Sequence, residues 1–196
     1  QSRGAATPFI DWGVETECRW GKANLAMNAL RVRFLAAASD MAQALGKSET
    51  ASSLRKERDR VAAAINKKLW QSSAGRFADY LDQAGSGKLH HGAHGNVFAA
   101  LADIPTPEQA GPLLEFIESR CENNRDLALQ GNEFAGQMEL YFCHHTLEAL
   151  GRFGKASTAE KLIKDMWELH FAHDAKGCWE ALCRGPIPGR CTEMGL

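Results

Sequence analysis

The sequence predicts an all-α protein built of about three stacked helical hairpins. Three observations predict it. Apolar residues recur at steps of three and four in successive stretches, and Ser/Thr-initiated capping signals open two of them. Strand signals are confined to one short run, Arg76 to Leu81. Helical pairs of this kind cannot bury both faces alone, so they stack into a solenoid or close into a ring.

The first helix is expected from Asn24 to Leu45, with Met27, Leu30, Phe34, Ala38, Met41 and Leu45 as its packing face. Gly46 stands where a left-handed C-terminal cap belongs. A second helix, Thr50 to Trp70, sets Leu54, Val61, Ile65 and Leu69 against a charged side made of Arg55, Lys56, Glu57, Asp59 and Arg60. A Gly- and Ser-rich loop, 72–92, leads to a short, weakly charged helix from His94 to Ala102. Thr106-Pro107-Glu108-Gln109 then reads as a capping box with Pro at the first helical position, opening a helix that carries Leu113, Leu114, Phe116 and Ile117. The third cycle starts with a helix from Gln137 to Leu150. Its Met138, Leu140, Tyr141, Phe142, Leu147 and Leu150 surround the axis and predict burial on most sides. Ser157-Thr158-Ala159-Glu160 reads as a further capping box, before Leu162, Ile163, Met166 and Trp167.

Charge and composition narrow the function. A net charge of −1 with interleaved signs offers no basic face for nucleic acid and no basic stripe for a membrane surface. No apolar run reaches the ~20 residues that span a bilayer. The six cysteines, Cys18, Cys121, Cys143, Cys178, Cys183 and Cys191, form no C-x-x-C pair, so buried free thiols are expected, with a loop disulfide among the last three left open. The chain begins on Gln1 and ends in a Gly-containing stretch at Leu196. It is expected to be a piece cut at both ends, and its compartment stays open.

Two places pair an indole with a carboxylate: Asp11-Trp12 before the first helix and Trp179-Glu180 after the last. Sugars suit such pairs, because C–H faces stack on aromatic rings while hydroxyls bond to carboxylates. Glycosidic cleavage needs two carboxyl groups, one protonating the leaving oxygen and one activating water or attacking carbon. The plain alternative is a core tryptophan beside a solvated acid. His94, at the start of an inner helix, either meets a sugar hydroxyl or satisfies a loop carbonyl. Glu139, and after it Glu133, either lines a pocket or stabilises a helix N-terminus. His90 and His91 are expected in solvent. Cys143-His144-His145 offers metal-ligand chemistry, but neighbouring helix positions point ~100° apart. Packing is therefore the expected role, with no metal and no cofactor.

The ordered set of motifs resembles the catalytic domain of bacterial α-L-rhamnosidases. The matching pieces are FIDW at 9–12, ANLAMNALRVRFLAAASDMAQALGK at 23–47, and KKLW at 67–70 followed by GRFADYL. They continue with HGAHGNVFAALADIPTPEQA at 91–110, LYFCHHTLEALGRFGK at 140–155 and IKDMW…GCWEAL at 163–182. The resemblance spans essentially the whole chain. It implies part of a six-hairpin (α/α)6 toroid, roughly half of the ring, and inverting hydrolysis of a terminal α-L-rhamnosyl or similar linkage. It further implies Glu180 as general base, with Asp11, Trp12 and Trp179 lining the sugar pocket. The family's general acid lies upstream of the D-W motif, and a histidine-bearing segment follows W-E. Both fall outside this chain, so an isolated fragment is expected to be inactive, and half a ring is expected to self-associate or be marginally stable through its uncovered apolar surface. A toroidal sugar epimerase or phosphorylase is the alternative enzyme. A non-catalytic helical-repeat scaffold is disfavoured by the unequal hairpins.

Overall fold

The computed structural model describes residues 23–81, 90–129, 138 and 140–172. Within them the chain forms six helices and a two-stranded hairpin. The helices are α1 (Leu25–Ala44), α2 (Ser48–Leu69), α3 (Ala93–Leu101), α4 (Pro107–Leu129), α5 (Leu140–Arg152) and α6 (Ala156–Ala172). The strands β1 (Trp70–Gln71) and β2 (Arg76–Phe77) pair antiparallel, Trp70 opposite Phe77. Each odd helix packs on the even helix that follows it. The odd helices also pack on one another, α1 on α3 and α3 on α5, while α4 packs on α6. The three hairpins expected from periodicity are therefore present, side by side, as an all-α fold.

The helix ends follow local chemistry. The Asn24 side chain accepts from the Met27 N–H and starts α1, and Gly46 at φ +72° closes it. At α4 half of the capping box forms, since the Thr106 N–H donates to Gln109 Oε1 at 2.9 Å. The Thr106 hydroxyl instead donates to Glu108. The start of α6 differs from expectation: the helix already includes Ala156, so Ser157 sits in the first turn, and Thr158 donates to Glu118 on α4 at 2.7 Å.

Two packing faces also differ. α1 buries Leu25, Ala26, Ala29, Val32, Leu35, Ser39 and Ala42, and leaves Met27, Phe34, Met41 and Leu45 exposed, Phe34 at 68%. Both sides of this helix are apolar, and the side with the smaller residues is the one that lets α2 and α3 approach closely. Gly95 of α3 shows how closely: a Cβ there would stand 2.8 Å from Leu25 Cδ2. In place of an apolar girdle, α5 has a polar side. Phe142, Cys143, Thr146, Ala149 and Leu150 are buried, whereas Tyr141 is 57% exposed beside exposed His144 and Glu148. Met138, counted in that girdle, is fully buried but precedes the helix.

The other row is amphipathic as expected, with Val61, Ile65 and Leu69 of α2 and Leu113, Phe116 and Ile117 of α4 in the core. α3 is buried at all nine positions, including His94 and Asn96. Such a helix must satisfy every polar group internally. Asn96 does so by treating the end of β2 as a strand partner: it accepts from the Phe77 N–H at 2.9 Å and donates to the Phe77 carbonyl at 3.1 Å. Asn124 of α4 makes the same clasp on Met138, accepting at 2.6 Å and donating at 3.0 Å.

Truncating either asparagine strands two buried backbone groups, each costing ~1–3 kcal/mol. Asn96→Ala and Asn124→Ala are each expected to lower the unfolding free energy by about 3 kcal/mol in urea titrations. A loss below ~1 kcal/mol would mean that water replaces the amide at no cost, and the clasp would not be structural.

Candidate functional site

The segments that return from one hairpin to the next come together at the ends where α1 and α3 begin. Asp79 organises this end. It is 6% exposed, and it accepts from the Gly92 N–H just before α3 at 2.6 Å. His90 Nδ1 lies 2.5 Å from the same carboxylate oxygen, Oδ2. The backbone N–H of Asp79 donates to the His90 carbonyl, and its carbonyl receives the N–H of Leu25, the first residue of α1. One strap residue thus ties the starts of α1 and α3 together. A Cβ on Gly92 would come within 2.9 Å of the Asp79 carboxylate, which explains the glycine.

His90 and His91, expected in solvent, are partly buried in this strap instead. Burial first, and then the nearby Arg76 charge, hold the His91 imidazole below its ordinary range. Arg76 itself lies over the Phe116 ring at 4.5 Å. Asp79 was not singled out in the sequence. The signal was present as an acidic residue inside the apolar run FADYL, where a buried carboxylate has to find donors.

Of the residues selected for chemistry, His94 is described. It is 3% exposed and stacks on Phe142 with ring centroids 4.1 Å apart. Phe142 meets Phe98 edge-on at 5.2 Å, and Phe98 meets His145 at 5.0 Å. An aromatic column therefore runs between α3 and α5. Asp11, Trp12, Glu139, Trp179 and Glu180 lie outside the described residues, as do Glu133, Cys18, Cys178, Cys183 and Cys191. Among the described residues the site that was read from sequence is represented by His94 and by the helix starts it belongs to.

The Cys143-His144-His145 triplet divides. Cys143 is buried and turned toward the Met138 carbonyl, 3.7 Å away. Cys121 is also buried and free, and burial, reinforced by Glu118 and Glu122, pushes its thiol up to about 12. His144 is exposed, contrary to the packing role expected of it. His144, His145 and Glu148 bring ligand atoms within 4.8 Å of one another. Arg33 of α1 reaches across to Glu148 at 3.1 Å. No described helix is long and apolar enough to cross a membrane.

No family profile and no curated protein matches the chain in sequence. Among solved structures, a rhamnosidase from Klebsiella oxytoca with rhamnose bound is similar at a TM-score of 0.64 and 23% sequence identity. The likeness covers 88% of this chain and 29% of that one, so the chain spans less than a third of the protein it matches. It is a likeness of fold, and it agrees with the three-hairpin architecture.

His145, like His91, sits below its ordinary range, through burial first, then the neighbouring His144 and Arg33, against the opposing pull of Glu148. Both imidazoles hold a proton less tightly folded than unfolded, so unfolding takes up protons below the unfolded value of 6.5. Their stabilising contribution is complete above that value and is lost as pH falls through the depressed folded values. The urea midpoint is expected to fall between about pH 7 and about pH 5, and to fall less in a His91→Gln/His145→Gln variant. An equal drop in the variant would assign the acid sensitivity to other groups.

Proposed function

We propose that the chain is part of the catalytic domain of an inverting glycoside hydrolase that cleaves a terminal α-L-rhamnosyl or closely similar linkage. The observation that carries this reading is the fold likeness over 88% of the chain to a rhamnosidase with rhamnose bound. The ordered motifs from FIDW to GCWEAL resemble the same family, although no family profile matches the chain. In this reading Glu180 is the general base. Its carboxylate takes a proton from a water on the face of the sugar opposite the leaving group, as that water attacks the anomeric carbon. Trp12 and Trp179 supply stacking surfaces, and Asp11 and Glu139 supply polar contacts around the ring, whereas His94 is buried against Phe142 and supports the helix start rather than the sugar. The leaving oxygen is protonated by a second carboxyl group that belongs to a longer protein.

The open apolar flanks suit the same proposal. Met27, Phe34, Met41 and Leu45 on α1, and Ile163, Trp167 and Phe171 on α6, are exposed at the two ends of the row of hairpins. Further hairpins of a ring would cover both. A toroidal epimerase would instead need paired histidines facing the pocket. His90 and His91 are held in the strap beside Asp79 and Arg76, which does not favour that alternative.

Residues 1–196 alone are expected to show no turnover of an aryl α-L-rhamnoside and to self-associate through the uncovered flanks, as read by light scattering. In the full-length parent, Glu180→Gln is expected to lower kcat by about a thousandfold while leaving rhamnose binding largely intact. Unchanged turnover in that variant would remove Glu180 from the mechanism, and robust hydrolysis by residues 1–196 would overturn the partial-site reading.

A further inference from the structure

His144 and Glu148 on the exposed side of α5 form a cluster with His145, which is half-buried against Phe98, and the proposed hydrolysis does not use it. His144 and Glu148 are one helical turn apart and rise from the same face, and Glu148 is also the i+3 neighbour of His145. Adjacent helix positions diverge, which made the Cys143-His144-His145 triplet a poor ligand set. Taking Glu148 in place of Cys143 closes the gap, because its carboxylate, one turn on, brings all three ligand atoms within 4.8 Å of one another.

The cluster is held rather than merely adjacent. His145 packs on Phe98 and stands edge-on to Tyr141 at 5.7 Å and 90°, so its ring is fixed. Among the described residues its Nδ1 is buried without a hydrogen-bond partner. Glu148 Oε2 stands 3.9 Å from it, too long for a hydrogen bond. The other oxygen of that carboxylate, Oε1, is bonded by Arg33. The arrangement has one oxygen anchored by a guanidinium and the other toward His145, with a ligand atom of His144 within 4.8 Å of both groups.

We propose that His144, His145 and Glu148 bind a single divalent transition-metal ion of the zinc type, with Arg33 positioning the carboxylate from outside the ligand set. Two imidazoles and one carboxylate select such ions over calcium or magnesium, which take oxygen ligands. In a tetrahedral site, ligand atoms about 2.1 Å from one ion stand about 3.4 Å from one another. The spread of up to 4.8 Å therefore has to close by about 1.4 Å, which rotation of the exposed His144 and Glu148 side chains supplies. Burial disfavours the charged form of His145, and the neutral imidazole is the form that ligates. Three protein ligands leave a fourth position for water or an outside donor. This site does not rest on the hydrolase reading.

The test is calorimetric titration of the EDTA-stripped chain with zinc, with cobalt as a spectroscopic probe. One equivalent of zinc is expected to bind saturably. His144→Gln and Glu148→Gln are each expected to weaken binding at least tenfold, and Arg33→Ala by about tenfold. These are exposed or half-exposed positions, and far-ultraviolet circular dichroism confirms each variant's helix content. His90→Gln/His91→Gln should bind as the unaltered chain does, since that pair lies in the strap. Cobalt should give visible bands without thiolate charge-transfer absorption. The proposal is overturned by an absence of saturable binding, by full affinity in a His144→Gln/Glu148→Gln double variant, or by a thiolate band.

Discussion

The arrangement depends on buried backbone being satisfied where the chain returns from one row of helices to the other. These return segments cross packed surface, and an unpaired N–H or carbonyl there costs as much as several favourable contacts provide. Asn96 and Asn124 solve the problem in the same way, each presenting its amide to one residue's N–H and carbonyl as a neighbouring strand would. Asp79 extends the first solution, joining the starts of α1 and α3 through its side chain and main chain at once. With the straps fixed, the odd helices are set at their N-terminal ends. Further cross-links, Arg152 of α5 to the Leu101 carbonyl at the end of α3 and to Asp103 just after it, fix the opposite end.

Packing then follows from residue size. The close approach of α1 and α3 is made by Ala26, Ala29 and Gly95 around Leu25, and the middle helix disappears from solvent entirely. On the other row, long side chains form bridges at the rim, such as Lys155 to Glu118 between the α5–α6 turn and α4 and Arg31 to Glu57 between α1 and α2. Pairs this exposed add little stability each. Their contribution is to orient helices that apolar burial has already brought together.

How far the sequence could be read follows the same physics. Helix number, order and approximate ends were legible because 3.6-residue periodicity, Gly46 and the Pro107 start are local signals. The face of α1 was not, because both its sides are apolar, and choosing between them depends on which neighbour fits. Nor was the exposed side of α5, where Tyr141 counts as apolar in composition yet stands in solvent. For the candidate site, His94 was placed correctly at a helix start, but its burial under Phe142 is a tertiary fact. Asp79 and Asn96 were readable in principle as polar residues inside apolar runs. Their partners, separated by 13 and 19 positions in the chain, were not.

The link from the Leu25 N–H to the Asp79 carbonyl bears on how the chain is made. Synthesis on a ribosome delivers α1 and α2 first, and their local pairing can form as soon as both have emerged. The first turn of α1 still waits for a residue synthesised after α2 is complete, and that residue is itself fixed only when Gly92 arrives. The opening hairpin is therefore finished from its successor, and the hairpins gain their final stability as a coupled series rather than one at a time.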